Sequence, residues 1–169
     1  MLRINHIHAH ILANYLGRGF DEIRYPLICL TVSGGHNELY RLDSPFEKTL
    51  LGRTRDDASG EAFDKVAKML GLGYPGGPVI SRLAAEYTGE FRGIFPESLR
   101  GEETFDFSFS GLKSAARREI EEREAADRLS DDDVREICYE FESRIVEELV
   151  SRTIRAVRMH GVGTILLAG

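Results

Sequence analysis

The sequence is poor in cysteine, has no excess of positive charge and holds no long apolar run, and each shortage removes a class of function. Its two cysteines, Cys29 and Cys138, form no CxxC or other paired spacing, so both read as reduced and buried, as in the cytosol, and a disulfide framework is not expected. With 22 basic and 28 acidic residues the formal charge is −6, which lacks the global basic field of a self-sufficient nucleic-acid binder. Any RNA contact must be local or shared. No apolar run approaches a bilayer span, and the amino end lacks the regions of a signal peptide, so the expected location is the cytoplasm, away from membranes. Internal repeats and low-complexity tracts are also missing. What remains is 169 residues, 42% hydrophobic and 30% charged, which suits one globular domain or a large piece of a bigger one.

The hydrophobic pattern alternates between strand and helix. "PLICLTV" (26–32), "NELYRL" (37–42) and "PFEKTLLG" (45–52) read as a meander of strands with tight glycine turns. Helical spacing follows over Asp57 to Leu70, and again from about Val79 to Tyr87, with the loop "GLGYPGGP" between them. Residues 88–111 are irregular and aromatic. Within them Phe105, Phe107 and Phe109 alternate with polar residues as in a half-buried strand, and Lys113 starts the next helix. Helices are expected over Leu112–Glu124 and Asp131–Arg158, with Ser130 or Asp131 as cap, "EREAADRLSDDD" as a solvated loop between them, and "GVGTILLAG" as a closing buried strand.

Near the amino end, "NHIHAHILANYL" (5–16) places histidines at three alternate positions. Ile7, Ile11 or Leu12, and Tyr15 recur at helical spacing and Gly17 and Gly19 offer a stop, so His6 and His10 share a helix face while His8 points away. Two imidazoles one turn apart can present nitrogens to one divalent cation, such as zinc, iron or nickel, with a third ligand from elsewhere. A polar helix face or an appended His-rich leader would give the same pattern.

Other motifs carry chemistry as well. "TVSGGH" sets a hydroxyl and two glycines at a strand-to-strand turn, where positive φ would let N–H groups converge on phosphate or carboxylate oxygens, although a plain hairpin has the same look. "RDDASGEAFDKVA" gathers Asp56, Asp57, Glu61 and Asp64 at a helix start. Capping accounts for the first two, whereas Asp64 could accept hydrogen bonds from ribose hydroxyls or a basic side chain. No side chain is an obvious general base; His36 is a candidate by position alone, and a satisfied turn histidine is the favoured reading.

In order and spacing, "HIHAH", "TVSGGHNEL", "DDASGEAFDKVAKMLGLGYPGGP", "FSFSGLKSA" and the final "LLAG" resemble the TsaD family, also carried under the older label O-sialoglycoprotein endopeptidase, over essentially the whole chain. The resemblance implies a partial α/β architecture of the actin, Hsp70 and sugar-kinase kind, RNase H-like. Along it, 1–25 would be the metal-site helix and its connection, 26–55 a strand meander with the glycine turn, 56–159 a mainly helical part and 160–169 the start of the next strand.

It further implies a transferase that moves the threonylcarbamoyl group of threonylcarbamoyl-adenylate to N6 of adenosine 37 in tRNAs reading codons that start with A. Matched position by position, the metal ligands fall on His6 and His10. The substrate-binding turn falls on Thr31, Val32, Ser33, Gly34 and Gly35, and further substrate contacts on Asp64, Gly77 and Ser81. Two departures stand out: His8 replaces a usual acidic residue, and Ser81 lies where a carboxylate is frequent. Implied ligands are one divalent metal, iron or zinc, and an adenylate-containing, ATP-related substrate. Implied partners are tRNA, a noncatalytic TsaB-type paralogue, a TsaE-type ATPase and a second copy of the chain.

The family also has strands with an acidic motif before the histidine helix, and a third metal ligand, an aspartate, beyond "LLAG". A chain with two of three ligands is expected to bind metal weakly and to transfer little on its own. The remaining alternatives are a noncatalytic dimerisation module, a sugar or acetate kinase relative, and a zinc hydrolase. The last is disfavoured because Ile7 follows His6 where HExxH needs glutamate.

Overall fold

The computed structural model describes residues 5–127 and 129–169. Nine regular elements make a three-layer α/β unit: α1 (His6–Leu12), β1 (Leu27–Val32), β2 (Asn37–Ser44), β3 (Glu47–Arg53), α2 (Ser59–Met69), α3 (Gly76–Glu86), α4 (Ser110–Ala125), α5 (Asp131–His160) and β4 (Ile165–Ala168). The mixed α/β class expected from the sequence is what the chain forms.

The sheet runs in the order β3-β2-β1-β4, with β1–β2 and β2–β3 antiparallel and β4 parallel to β1. β1 is apolar but for Thr31 because both its faces are covered. Leu27 and Cys29 join Ile7, Ile11 and Tyr15 under α1, whereas Ile28 and Leu30 pack with Ala62, Val66 and Phe141 of the helical layer. Burial pushes the Cys29 and Cys138 thiols up to about 12, and both remain free.

Asn5 caps α1 by accepting the His8 N–H at 3.0 Å. The helix is over before Gly17, which takes a positive φ of 77°. α5 starts at a capping box between Ser130 and Asp133 and stops at Gly161, whose φ of 61° is the left-handed turn that glycine accommodates.

Some expectations need correction. Residues 105–109 form no strand. Phe107 makes a single parallel bridge to Thr54, and it and Phe109 are fully buried, so the alternation records burial rather than pairing. The glycine loop is also shorter than its composition predicts, since Gly76, Gly77 and Pro78 already form the first turn of α3. The loop expected over "EREAADRLSDDD" is shorter: α4 runs through Ala125 and α5 starts at Asp131, Arg123 is buried among Glu119, Asp133 and Glu136 at 2.7–2.8 Å, and Arg128 lies outside the described residues.

The irregular stretch after α3 is held by a charged stripe on α5. Glu136, Glu140, Arg144, Glu148 and Arg152 recur every four residues, share one helix face and are all buried. Glu136 pairs with Arg92 at 2.8 Å, and Glu140 accepts the Arg92 and Ile94 N–H groups at 2.5 and 3.1 Å. Arg144 donates to the Phe95 carbonyl, Glu148 accepts from Ser98 N–H, and Arg152 donates to the Ser98 and Thr104 carbonyls. Side chains thus satisfy a backbone that has no ladder of its own. Among the described residues no helix is long and apolar enough to cross a membrane.

Candidate functional site

The histidine helix and the glycine turn, far apart in sequence, meet at one end of the sheet. Ile7 and Ile11 anchor α1 on the β1 face, which turns His6 and His10 outward with their Nε2 atoms 3.2 Å apart. The His36 ring, at the end of the glycine turn, lies 6.2 Å from the His6 ring, centroid to centroid. His8 points elsewhere and its Nε2 meets the Pro45 carbonyl at 3.3 Å, so it supports the β2–β3 hairpin. A cavity of about 550 Å³ opens beside the pair, lined by His10, Asn14, Val32 and the end of β4.

The converging nitrogens of His6 and His10 suit two positions around a divalent cation. Among the described residues no group of three or more histidines, cysteines, aspartates or glutamates is placed to hold a metal. The chain therefore offers a pair.

The glycine turn differs from the sequence expectation in its physical basis. Neither Gly34 nor Gly35 takes a positive φ. The close approach falls on Gly60: a Cβ there would stand 2.7 Å from the Gly34 Cα, whereas one on Gly34 would meet open space, and the Glu61 N–H donates to the Gly34 carbonyl at 3.1 Å. The Ser33 N–H donates to the His36 carbonyl at 2.8 Å, and the His36 N–H to Ser33 Oγ at 3.2 Å. The exposed Gly34 and Gly35 N–H groups have no acceptor among the described residues, and so face solvent as free donors. Thr31 is buried and its hydroxyl donates to the Glu38 carbonyl at 3.2 Å, while Val32 ends β1 at the cavity wall.

α2 starts against this turn, and neither it nor α3 or α4 is capped by its own N-cap residue. Ala58, Pro75 and Phe109 hold those positions at α2, α3 and α4 and make no side-chain cap. Each cap comes from another element. Asn37 Oδ1 accepts the Ser59 N–H of α2 at 2.6 Å, and Asp64 Oδ1 accepts the Gly76 N–H of α3 at 2.7 Å. Asp56 Oδ1 accepts the Phe109 and Ser110 N–H groups at 2.8 and 3.1 Å, with Ser108 Oγ on its other oxygen at 2.5 Å.

So Asp56 and Asp57 do not cap the helix they precede. Asp57 pairs with Lys113 at 2.6 Å and Lys65 at 2.8 Å. Burial alone would raise its pKa, but the two lysines outweigh that and hold it below the ordinary 3.8. Arg55 reaches Asp106 and Glu102, which completes a zipper joining "RDD" to the Phe-rich segment.

Of the other sequence candidates, Asp64 is half-buried with no partner for Oδ2 among the described residues, Gly77 sits in the first turn of α3 with open space where a Cβ would be, and Ser81 is exposed one turn later. Gly76 is the packing glycine: a Cβ there would come within 2.6 Å of the Phe63 carbonyl and 2.7 Å of the Asp64 Cα. Sequence reasoning missed Asn37, Asp56 as a cap for α4, and Gly76. The signal was available in the apolar residues at three N-cap positions, which require caps from elsewhere.

Comparison with known proteins gives this arrangement its relatives. A family model described as TsaD, tRNA N6-adenosine threonylcarbamoyltransferase, matches residues 1–169. Proteins named tRNA N6-adenosine threonylcarbamoyltransferase from Sorangium cellulosum (42% identical over 179 residues, all of this chain and 49% of the relative), Geobacter metallireducens (44% over 167 residues, 98% and 47%) and Listeria innocua (43% over 169 residues, 100% and 47%) are similar to it. The chain spans about half the length of these curated relatives. With the histidine pair, the glycine turn and the Asp64 helix in one matched stretch, the chain belongs to the TsaD family.

Proposed function

We propose that this chain supplies the histidine helix, the phosphate turn and the nucleoside contacts of an enzyme that transfers the threonylcarbamoyl group of threonylcarbamoyl-adenylate to N6 of adenosine 37 in tRNAs reading codons that start with A. The observation that carries the reading is the meeting of His6 and His10 with the Ser33–His36 turn at one end of the sheet. The relatives' names support the reaction.

In that reaction the N6 amine attacks the carbamoyl carbon of a mixed carbamic–phosphoric anhydride. The C–N bond forms, the bond to the phosphate oxygen breaks, AMP leaves and N6 loses a proton. A divalent cation, iron or zinc, held by His6 and His10 would supply Lewis-acid polarisation of substrate oxygens. The free N–H groups of Gly34 and Gly35 suit phosphate oxygens. Asp64, through Oδ2, and the open backbone at Gly77 suit the nucleoside, with Ser81 one turn further along α3. Thr31 and Val32 act from the strand beneath, setting where the turn leaves the sheet. Holding both ends of the adenylate orients the carbonyl for attack.

Under this reading the partners are tRNA, a TsaB-type paralogue, a TsaE-type ATPase and a second copy of the chain, in the cytoplasm. Two cation ligands predict weak metal affinity for the chain alone, and little transfer. Equilibrium zinc binding tests the cation half. His6→Ala and His10→Ala each weaken zinc binding tenfold or more, and binding at parental affinity in both variants overturns the assignment.

A further inference from the structure

We propose that Asn37 is a positioning residue that sets the glycine turn and α2 in one fixed relation, an inference that rests on the adenylate reading above. Asn37 is fully buried, and its side-chain amide is spent on a single residue of α2. Oδ1 accepts the Ser59 N–H at 2.6 Å and Nδ2 donates to Ser59 Oγ at 2.8 Å, while the Asn37 carbonyl accepts the Thr54 N–H at 2.9 Å. Paired with Val32 across the β1–β2 ladder, it stands at the root of the turn. At the tip the link to α2 is one hydrogen bond, from Glu61 N–H to the Gly34 carbonyl, and the Gly34–Gly60 approach.

The consequence reaches beyond the turn. α2 lacks a cap of its own because Ala58 cannot supply one, so the residue that caps the helix also determines where its first turn lies against the phosphate site. Asp64 follows Ser59 by five residues, about 7.5 Å along the helix axis, and caps α3 in turn at Gly76. Asn37 therefore sets the span between the free turn amides and the Asp64–Gly77 region. A ligand held at both ends is sensitive to that span, since a misplacement of about 1 Å can cost on the order of a hundredfold.

The substitutions separate positioning from bulk stability. Asn37→Ala removes both side-chain bonds. Asn37→Asp keeps the acceptor for Ser59 N–H and can take the second bond from the Ser59 hydroxyl. Ser59→Ala removes only the Nδ2 bond.

The experiment uses the 169-residue chain, with amide hydrogen exchange and AMP titration as readouts. Asn37→Ala speeds exchange of the hydrogen-bonded Ser33, His36 and Glu61 amides around the turn at least tenfold and weakens AMP binding at least tenfold, with the amides of central α5 still protected. Asn37→Asp restores both to within threefold of the parent. Turn exchange and AMP affinity within twofold of the parent in Asn37→Ala overturn the proposal. Should Asn37→Ala fail to fold, Ser59→Ala decides: threefold faster exchange confined to the turn supports the positioning role, and unchanged exchange overturns it. A parent that binds no AMP, combined with faster turn exchange in the variants, contradicts the adenylate reading and leaves the positioning role supported.

Discussion

The Asp64 carboxylate accepts the Gly76 amide at 2.7 Å, so a residue proposed to meet the nucleoside is at the same time the N-terminal cap of the next helix. One oxygen is structural and the other is open. This division predicts that Asp64→Ala costs about 1 kcal/mol, the usual value of a lost cap, whereas Asp64→Asn, whose amide oxygen still accepts from Gly76, stays within a few tenths. Urea denaturation measures both. AMP titration of Asp64→Asn then reads the open oxygen alone, with weaker binding at unchanged stability as the expected outcome.

The two neighbouring glycines of the same turn differ in what they do. Gly76→Ala places a Cβ against the Phe63 carbonyl and the Asp64 backbone, atoms that cannot move cheaply, and costs about 2 kcal/mol or more. Gly77→Ala meets open space in a helical turn and leaves stability unchanged or raises it by up to about 1 kcal/mol. Any loss of AMP affinity in Gly77→Ala, checked beside its thermal midpoint, then belongs to the ligand.

On α5, Glu140→Ala leaves the Arg92 and Ile94 N–H groups without their buried acceptor and costs about 3 kcal/mol. Glu140→Gln, which keeps one acceptor, loses about half of that. Exchange of the 92–98 amides rises in both variants, and protection there equal to the parent would contradict the role of the α5 stripe.

Asp57 gives the acid limb of stability a named source. Its folded pKa lies below the ordinary value, so the stabilisation is complete above about pH 4 and is lost as pH falls through the depressed value. Asp106 behaves alike: burial pushes its pKa up, but the Arg53 backbone N–H and the Arg55 guanidinium bring it below the ordinary value. Lys113→Met removes one of the two cations on Asp57 and moves the acid unfolding midpoint to higher pH, measured by circular dichroism across pH 2 to 6.

Much of this was legible in the residues. The apolar run 26–32 reads as a strand, and Ile7, Ile11 and Tyr15 mark the buried face of α1, which puts His6 and His10 together on another. What stayed hidden was non-local. Asp56 reads as a cap for the helix three residues ahead, yet it caps one that begins over fifty residues later at Ser110. Asn37 reads as an ordinary strand start. Charged residues are normally exposed, whereas Glu136, Glu140, Arg144, Glu148 and Arg152 of α5 are drawn inward by an irregular segment without a ladder. Periodicity reports local burial, and it is silent on which distant backbone a buried polar group will serve.

The central claim is tested most directly in a hybrid in which this chain replaces the matching stretch, 47% of the length, of the Listeria innocua relative. The reaction contains threonylcarbamoyl-adenylate and tRNA, and nucleoside mass spectrometry reads threonylcarbamoyl-adenosine. The account predicts that the folded hybrid forms the modified nucleoside and that its His6→Ala variant, equally folded, does not. A folded hybrid with no product, or a His6→Ala hybrid as active as its parent, would contradict it.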